Sequence, residues 1–426
     1  MTVPSFQPLQ GMSDLASPDI HLWQEVEETA RRLLALYQVG EVRTPILEPT
    51  GLFVRSLGEG TDVVQKEMYT FEDRGGRQVS LRPEGTAGVI RYLAGLGPEA
   101  AGARLYYLGP MFRAERPQAG RRRQFHQLGV ELIGPPGPAQ DVEAIALQQH
   151  LLNAWGLKGA RIEINSRGQP AEQAAVTEGL RRALEPHESA LCEDCRRRLR
   201  TNVLRVLDCK QEGCRAIADR LPPVTDFMGA ESRAYLEEVR RLLGLLELPA
   251  VINPRLVRGL DYYQHTIWEV KHPALGAQDA LAGGGRYRIE WEGAAIEGVG
   301  FAAGLERIVT AVAQDRSGAP SSRRGVPVAW IVSQGPGALE QNLVLAQTLR
   351  ARGIACGLAL DGRSVKAQMR AANRSGAAYA VIRGELELQK GLVVLKSMKD
   401  GAQEELELPA LVERLILASR AEGTSI

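Results

Sequence analysis

Apolar and polar positions recur along the first part of the chain with the periods of helices and strands. Residues 20–39 carry apolar side chains at helical spacing, which predicts a long amphipathic helix that ends at Gly40. A short strand is predicted over 41–53, with Pro45 at a sheet edge or interface. Further strand-like segments lie at 68–71, 78–81, 104–108 and 125–133. Because turns and loops connect these segments directly, they predict an antiparallel sheet.

The pattern then changes twice. Charged helical segments over about 171–246 predict a helical insertion, and sheet patterning returns from 249 through Gly283-Gly284-Gly285 to a strand-to-helix segment at 298–309. A segment rich in Gly, Pro and Ser, 317–324, suggests a linker. Beyond it, strands and helices alternate as in a small α/β domain. We therefore predict an α+β domain over 1–322, with a mostly antiparallel sheet and a helical insertion, and an α/β domain over 325–426.

Composition limits the class of protein. A chain of 426 residues with 44% hydrophobic and 24% charged residues is typical of a globular protein with two or three domains. It offers neither a basic and apolar leader nor the roughly eighteen apolar residues of a membrane span. We therefore expect a cytoplasmic protein without a membrane partner.

The charge is balanced overall, at +1, so any nucleic-acid binding must come from local patches. Residues 323–426 hold fourteen Lys or Arg against ten Asp or Glu. Two candidate patches are Arg121, Arg122 and Arg123, and the series Arg363, Lys366, Arg370 and Arg374, whose spacing predicts one helix face. Each patch is either a solvated face or a phosphate-binding surface.

Four of the five cysteines cluster as Cys192-x2-Cys195 and Cys209-x4-Cys214. A disulfide is disfavoured in a cytoplasmic protein, which leaves a structural zinc site or four separate thiols. The spacing resembles that of zinc sites, with a wide second gap. The two interpretations stay open, and we assign no metal-ligating residues.

The hexapeptide RGLDYY, 258–263, raises a question of environment. As a strand it would place Arg258 and Tyr262 on one face and Asp261 and Tyr263 on the other. Buried guanidinium and phenol groups require partners, so the stretch suggests either a polar-lined cavity or an ion-paired surface strand.

A second polar motif, FRAER, is typical of nucleotide binding. Arg113 and Glu115 lie two positions apart on one strand face, where they suit a phosphate and an adenine amino group, and Phe125 suits a purine ring. Arg307, near the start of a predicted helix, offers a second phosphate contact. The glycine-rich GxxxxGK[ST] loop is absent from the sequence.

Six segments, taken together, resemble the bacterial histidyl-tRNA synthetase family, within the class II aminoacyl-tRNA synthetases. TPILEP (44–49), the stretch 112–131 and GVGFAAGLERI (298–308) are similar to the three class II motifs. LRPEGT (81–86), LVRGLDYY (256–263) and GGGRY (283–287) are similar to stretches that distinguish the histidine enzyme. The resemblance covers nearly the whole chain and includes a C-terminal anticodon-binding domain. It implies a homodimer that activates L-histidine with ATP and charges tRNA(His), with Mg²⁺ on the β- and γ-phosphates.

The resemblance also implies roles for individual residues. Arg113 and Arg258 are the implied catalytic pair, with Arg258 where related enzymes place a magnesium ion and Asp261 orienting it. The implied histidine-binding residues are Glu84, Gly85, Thr86, Arg113, Gln127, Glu131, Arg258, Tyr262 and Tyr263. The implied ATP-binding residues are Arg113, Glu115, Arg121, Phe125 and Arg307. The implied tRNA-binding residues are Arg116, Gln118, Arg122, Arg363, Lys366 and Arg370.

Blander interpretations accompany these roles. Glu84 and Glu131 would then be surface carboxylates, His126 a packing residue and GGGRY a tight turn. Arg288-Ile289-Glu290 departs from the family pattern after GGGRY, which puts the local loop shape in doubt. The alternative function is a regulatory paralogue of the ATP phosphoribosyltransferase type, which senses histidine without charging tRNA and lacks the anticodon-binding domain.

Overall fold

A computed structural model describes residues 6–115, 122–259, 262–291, 294–316, 326–335 and 337–421. The chain divides into two compact units, Met1–Ser317 and Gly318–Ile426. The division lies at the start of the suggested linker. Within the described ranges, no helix is long and apolar enough to cross a membrane.

The first unit is built on a large sheet with strand order β1-β5-β6-β11-β10-β9-β7-β8 and a small sheet with order β2-β4-β3. Its strands are β1 (Gly40–Glu41), β2 (Leu47–Pro49), β3 (Tyr69–Glu72), β4 (Gln78–Leu81), β5 (Arg104–Phe112), β6 (Gln124–Ile133), β7 (Arg161–Ser166), β8 (Ala250–Ile252), β9 (Tyr263–Lys271), β10 (Ala280–Trp291) and β11 (Ala294–Gly304). In the large sheet the outer pairs β1–β5 and β7–β8 are parallel and the inner pairs are antiparallel. The mostly antiparallel sheet is confirmed.

The helices of this unit are α1 (Ile20–Leu36), α2 (Thr50–Leu57), α3 (Thr86–Leu96), α4 (Pro138–Ala154), α5 (Gln173–Leu184), α6 (Glu193–Thr201), α7 (Glu212–Ala218), α8 (Ala230–Leu245) and α9 (Leu305–Asp315). Buried residues of α1, α4, α8 and α9 pack on one face of the large sheet, around the buried Trp268. The segments α5 to α7 form a separate apolar cluster. This cluster lies within the region predicted to be a helical insertion.

Strand alternation sorts the two faces of the large sheet. On β6 the even positions Leu128, Val130 and Leu132 face the helices, so the odd positions face the other side. The other face is partly covered by α3, whose Val89 and Ile90 pack with Tyr107 of β5 and Tyr287 of β10. The alternation thus separates an apolar helix-covered face from a face that carries polar groups.

One buried ion pair spans the helix-covered face. Arg286 of β10 and Asp141 of α4 have fully buried side chains, with Nε and Oδ1 2.6 Å apart. Arg286 also donates to the carbonyl oxygens of Gly134 and Pro135 and to Gln140. A buried ion pair is tolerated when hydrogen bonds complete it in this way. The contacts fix the angle of β10 against the start of α4.

The structure corrects two local predictions, at 41–53 and at RGLDYY, and excludes the tight-turn alternative for GGGRY. The stretch 41–53 is not a single strand, because β1 and β2 are short and Thr50 begins α2. GGGRY lies inside β10 and is not a tight turn. RGLDYY is not a strand over its length: β9 begins at Tyr263, and Arg258 lies in the loop after β8. The strand prediction failed at Arg258 because short apolar segments lie on both sides of this loop. Together with the loop they have the sequence pattern of one continuous strand.

The second unit has an α/β fold. Its strands are β12 (Ala329–Gln334), β13 (Cys356–Leu358), β14 (Tyr379–Gly384), β15 (Leu392–Ser397) and β16 (Gln403–Glu407), and its helices are α10 (Ala338–Ala351), α11 (Val365–Ser375), α12 (Glu385–Lys390) and α13 (Leu408–Ala421). The sheet order is β13-β12-β14-β15-β16, parallel for β13-β12-β14 and antiparallel for β15 and β16. The predicted alternation of strands and helices is confirmed.

Candidate active site

Buried polar groups collect on the face of the large sheet that lies opposite the main helices. Tyr107, Gln127, Glu131 and Tyr287 lie on β5, β6 and β10, and one side-chain oxygen of each is buried with no close hydrogen-bond partner in the described part of the chain. Glu131 still interacts with Tyr287, and Tyr107 with Thr86. Buried polar atoms are normally paired, so a cluster of unpaired ones indicates a site that awaits a polar ligand. The ligand must supply hydrogen-bond donors to the amide and carboxylate oxygens.

Glycines on the same strands leave room for these side chains. Gly129 is the neighbour of Tyr107 across the β5–β6 pair, and a Cβ on it would lie 2.1 Å from the Tyr107 ring. Gly300 is the neighbour of Glu131 across the β6–β11 pair, and a Cβ there would lie 2.2 Å from Glu131 Oε2. Both positions therefore require glycine for close approach. The large side chains lie flat over them and form a polar floor.

Glu131 is joined to the start of α3 through Thr86. The Thr86 hydroxyl donates to Glu131 Oε1 over 2.8 Å. Thr86 and Ala87 in turn donate their backbone N–H groups to the two oxygens of Glu84, at 2.7 and 2.8 Å. The helix start carries partial positive charge, which stabilises the buried Glu84 carboxylate. Glu84 thus accepts hydrogen bonds from the first N–H groups of α3. One of these bonds also positions Thr86, which donates to Glu131.

Burial dominates the electrostatics of both carboxyl groups. Burial raises the pKa of Glu131 to about 8, against the hydrogen bond from Thr86, which lowers it. Burial likewise raises the pKa of Glu84, although the N–H groups of Ala87 and Thr86 oppose the shift. A cationic or N–H-rich ligand would offset the cost of ionising Glu131.

Arg113 lies just after β5, at the edge of this floor. Its Nε donates to the carbonyl oxygen of Pro83 over 2.8 Å, which ties it to the residue before Glu84. Its guanidinium carbon lies 5.3 Å from the centre of the Phe125 ring, within the range of a cation–π contact. The Nη1 atom is 3.8 Å from Glu115. The group is anchored at Nε while about a quarter of the side chain, 24%, is exposed.

Arg258 lies in the loop after β8 and reaches the same face of the sheet. Its Nη1 lies 3.1 Å from Glu269 Oε1 on β9. The guanidinium rests on Gly283 of β10, where a Cβ would lie 2.5 Å from Nη1. Gly283 is the sheet neighbour of Glu269 and Ala302. Arg258 therefore contacts a carboxylate and a glycine, and its buried Nε has no hydrogen-bond partner among the described residues.

The sheet register relates each arginine to the polar floor. Gly283, beside Arg258, is in the same row as Ala302, Gly129 and Tyr107, whereas Arg113 follows the end of β5. Phe112, the residue before Arg113, pairs with Gln124 at the start of β6, while Gln127 pairs with Gly304 at the end of β11. Gly283 follows the start of β10 by three residues. The arrangement combines two guanidinium groups with an acidic and phenolic pocket. Such a site suits a substrate that has a cationic end and an anionic end.

Two family models together match most of the chain. The model described as "Histidyl-tRNA synthetase" matches residues 11–308, and the one described as "Anticodon binding domain" matches residues 328–416. The "Histidine--tRNA ligase" of Halothermothrix orenii is 43% identical over 411 residues, covering 95% of this chain and 98% of that protein. The protein of the same name from Desulforudis audaxviator is 46% identical, covering 95% and 97%. The chain belongs to the histidyl-tRNA synthetase family.

Solved structures agree with membership of the histidyl-tRNA synthetase family. The apo S. aureus histidyl-tRNA synthetase has a TM-score of 0.80 and 35% identity, covering 96% of this chain and all of that one. An "ATP phosphoribosyltransferase regulatory subunit/histidyl-tRNA synthetase" from Bacillus halodurans shares the fold, with a TM-score of 0.66 and 22% identity. As a family member the chain is an aminoacyl-tRNA synthetase. The regulatory alternative is not favoured.

The structure brings several of the residues that the family resemblance singled out into this site. Hydrogen bonds link Glu84, Thr86 and Glu131. Gly85 lies against Tyr107, and a Cβ added to this glycine would lie 2.2 Å from the tyrosine ring. Gln127 lies on the same face of β6 as Glu131. Glu84 and Glu131 are buried, which contradicts their interpretation as surface carboxylates.

The tyrosines of RGLDYY lie together and not on opposite faces of a strand. The ring centres of Tyr262 and Tyr263 are 4.7 Å apart, and both pack in the cluster under α3. Burial raises the pKa of Tyr262 well above its ordinary value, and nearby Tyr263, Glu84 and Glu131 raise it further. Both phenols therefore remain neutral hydrogen-bonding groups beside the floor.

The residues expected to bind ATP are only partly within the described ranges. Phe125 and Glu115 lie beside Arg113, and Arg307 in α9 donates to the carbonyl oxygen of Ala280, at the start of β10. Four of the residues singled out for ATP, tRNA or Arg258 lie outside the described residues: Arg116, Gln118, Arg121 and Asp261.

The basic residues expected to bind tRNA are spread over both units. Arg122 is exposed and donates to the Ser13 hydroxyl. Lys366 and Arg370 are exposed on α11, but Arg363 precedes that helix and pairs with Asp361. The prediction that Arg363 shares a helix face was therefore wrong, because Ser364 caps the helix.

Sequence reasoning missed three parts of the site. Tyr107 and Tyr287 contribute to the floor, and Glu269 is the described partner of Arg258. The sequence carried a signal for Tyr107 and Tyr287. Gly129 lies two positions from Glu131, and Gly298 lies two positions from Gly300, and small residues at every second position of a buried strand indicate that a large side chain lies over them. Glu269 gave no such signal, because only the folded sheet brings it to Arg258.

Proposed function

We propose that the chain is a histidine–tRNA ligase that activates L-histidine with ATP and transfers the histidyl group to the 3′ end of tRNA(His). Family membership over 11–308 supports this function, and the polar floor around Glu131 carries the choice of amino acid. The first step joins the histidine carboxylate to the α-phosphorus of ATP and releases pyrophosphate. The second transfers the histidyl group from AMP to a ribose hydroxyl of the tRNA.

Histidine recognition is assigned to the floor. Glu131 Oε2 and Gln127 Oε1 are buried acceptors that lack a close hydrogen-bond partner within the described ranges, and the imidazole N–H and the ammonium of histidine are matching donors. Tyr107 and Tyr287 add hydroxyls that either donate or accept. A pocket of buried polar groups rejects analogues that lack the partner atoms by about 10⁴–10⁵-fold. Amino acids with apolar side chains would leave these groups unpaired.

The two arginines are assigned to the reacting phosphorus. Two anions must meet when the carboxylate attacks, and negative charge builds on the phosphate oxygens as pyrophosphate leaves. Arg113 approaches from the Glu84 side and Arg258 from the Gly283 side. Their hydrogen bonds to Pro83 and Glu269 hold them before substrate arrives. Such preorganised cations lower the barrier without reorganisation during the reaction.

ATP is assigned to the Arg113 edge of the site. Phe125 offers a ring for adenine, Glu115 an acceptor for the adenine amino group, and Arg307 a cation for the outer phosphates. Mg²⁺ is expected with the β- and γ-phosphates. Because Mg²⁺ takes most of its ligands from phosphates and water, the β- and γ-phosphates would carry the ion into the site.

The second unit is assigned to the anticodon of tRNA(His), on the basis of its family match over 328–416. Lys366 and Arg370 give α11 an exposed cationic surface for phosphates. A homodimer is proposed through the small sheet that carries the first class II motif. Ile46, Leu47 and Phe71 on or beside β2 and β3 are exposed by 43%, 41% and 47%. Apolar side chains grouped on a surface suit a protein contact.

One assay tests the proposed function. The purified chain is incubated with ATP, labelled pyrophosphate and each amino acid in turn, and label entering ATP is measured. We expect exchange with histidine alone. Exchange with a different amino acid, or none with histidine in an otherwise folded preparation, would overturn the assignment.

A further inference from the structure

Four cysteine thiols converge inside the helical insertion. Cys192 precedes α6 and Cys195 lies in its first turn, while Cys209 and Cys214 lie just before and within α7. Their four Sγ atoms all lie within 4.8 Å of one another, and Cys192 and Cys209 are 3.9 Å apart. Residues separated by up to twenty-two positions in the sequence thus meet at one point.

The spacing suits a metal ion, and the four cysteines are free thiols in the structure. Sulfur atoms bonded to each other lie about 2.05 Å apart. Four sulfurs around a tetrahedral zinc ion with Zn–S bonds of about 2.3 Å lie about 3.8 Å apart. The Cys192 backbone N–H also donates to Cys214 Sγ over 3.2 Å, a contact that stabilises thiolate. We infer that Cys192, Cys195, Cys209 and Cys214 bind one structural Zn²⁺ ion as a closed four-thiolate site.

The insertion has a structural use for such an ion. Its apolar cluster is separate from the core of the large sheet, and the part between Cys192 and Cys214 consists of short helices and turns. Three of the four cysteines are buried within that cluster. Small modules with a limited core are commonly held by a structural metal, whose binding energy becomes folding energy. The ion would tie α6 to α7 across the intervening turns.

The same module supports the loop that carries Arg258. Val257 packs against its apolar cluster. On the other side of Arg258, Gly259 lies against Arg205, where a Cβ would be 2.9 Å from Nη2. Earlier in the loop, Arg255 pairs with Asp219 over 2.8 Å. Both neighbours of Arg258 therefore rest on the module that the zinc ion would hold together.

Metal analysis tests the zinc site independently of the proposed function. The full chain is purified under reducing conditions without chelators, and zinc per chain is measured by mass spectrometry. We expect about one zinc per chain, as for a closed four-ligand site, released when a mercurial reagent titrates the thiols. Zinc far below stoichiometry, with no uptake from added zinc by the reduced protein, would overturn the inference.

Variants locate the ion. Cys192→Ser and Cys209→Ser should each reduce bound zinc, while Cys356→Ser, which changes the fifth cysteine in the second unit, should leave it unchanged. Retention of zinc by the Cys192→Ser/Cys209→Ser double variant would exclude the quartet as the site. Because these variants risk misfolding, the unaltered protein is also loaded with Co²⁺. Strong thiolate-to-cobalt absorption bands are expected, and their absence counts against four-sulfur ligation.

Hydrogen exchange tests whether the zinc ion stabilises the Arg258 loop. Only the importance of this loop for catalysis rests on the proposed function. Removal of zinc should speed amide exchange in 192–219 and in 255–259, while β6 should keep its protection. If exchange became faster at 192–219 but stayed unchanged at 255–259, the ion would stabilise only the cysteine module. The inference that it supports the Arg258 loop would then be wrong. This outcome differs from failure of the pyrophosphate exchange assay.

Discussion

At the scale of single residues, the site depends on carboxyl groups that are buried before a substrate arrives. Glu131 is 2% exposed and Glu84 is 5% exposed, yet both belong to a pocket that must receive a polar ligand. The sequence predicts these residues only through the family resemblance, since no local pattern distinguishes a buried glutamate from a surface one. Their hydrogen bonds through Thr86 required the structure, because they join residues 45 positions apart.

Replacement of Arg258 tests the proposed electrostatic role. Arg258→Ala should lower the rate of histidine-dependent pyrophosphate exchange by about 10²–10³-fold, because one cation facing the α-phosphate is lost. Histidine binding and the circular-dichroism spectrum should change little. Arg241→Ala, which removes an exposed ion pair on α8, is the control and should leave exchange unchanged. Exchange within a few-fold of the unaltered protein would refute the role of Arg258.

The raised pKa of Glu131 predicts a pH dependence of stability in the ligand-free protein. The folded carboxyl holds its proton until about pH 8, whereas the ordinary value is 4.5. The folded state binds the proton more tightly, so this stabilisation is complete below 4.5 and is lost as the pH rises to about 8.

The change that tests this dependence is Glu131→Gln. The variant should show a shallower fall in the free energy of unfolding across that window, measured by denaturant titration at several pH values. Glu237→Gln, on the exposed side of α8, serves as the control and should retain the full slope. Equal slopes for the Glu131→Gln variant and the unaltered protein would contradict a buried, protonated Glu131.

At the scale of the elements, alternation along the strands of the large sheet divides structure from chemistry. The even positions of β6 pack against helices, and the odd positions carry Gln127 and Glu131. Sequence patterning predicted the strands and their mostly antiparallel pairing well, because short turns and period-two runs are local signals. It failed at Arg258, since a loop and a strand of similar composition differ only in tertiary contacts.

The seat under Glu131 can be tested by filling it. Gly300→Ala places a Cβ 2.2 Å from Glu131 Oε2 and 2.4 Å from the Val130 carbonyl oxygen, so side chain and backbone must both shift. Overpacking of this kind should lower the free energy of unfolding by about 1–3 kcal/mol. It should also raise KM for histidine, measured by pyrophosphate exchange.

The control for that substitution lies in α3. A Cβ on Gly95 would have nothing within 4 Å, so Gly95→Ala should stabilise the helix by about 0.5–1 kcal/mol. It should leave KM for histidine unchanged. If Gly300→Ala behaved like Gly95→Ala in both measurements, the close approach of Gly300 to Glu131 would contribute neither to stability nor to histidine binding.

At the scale of the whole molecule, the two units have separate cores and separate proposed roles. The apolar cluster of the second unit is centred on Ile331, Leu345 and Val381, all within that unit. Alternating strands and helices made its fold predictable from sequence. Its proposed binding surface was less predictable, because Arg363 falls before the helix cap at Ser364.

Truncation separates the proposed roles. A chain ending at residue 316 should keep histidine-dependent pyrophosphate exchange and lose most tRNA charging, because the proposed anticodon contact is removed. A milder version, Lys366→Glu/Arg370→Glu, should weaken charging more at low salt than at high salt, because contacts between exposed cations and phosphates contribute less as the salt concentration rises. Charging by the truncated chain at the full rate would contradict the assignment of the second unit.

Under the proposed role of the floor in selecting histidine, the pairing of each bulky floor side chain with a glycine on the next strand limits how the amino-acid specificity can change. A mutation that merely shrinks Tyr107 or Glu131 opens a hole over Gly129 or Gly300, and one that enlarges either glycine collides with its neighbour. Single steps in either direction are therefore penalised. A new specificity would have to arise by compensating exchanges on two strands at once, so laboratory selection from double-site libraries should outperform selection from single-site ones.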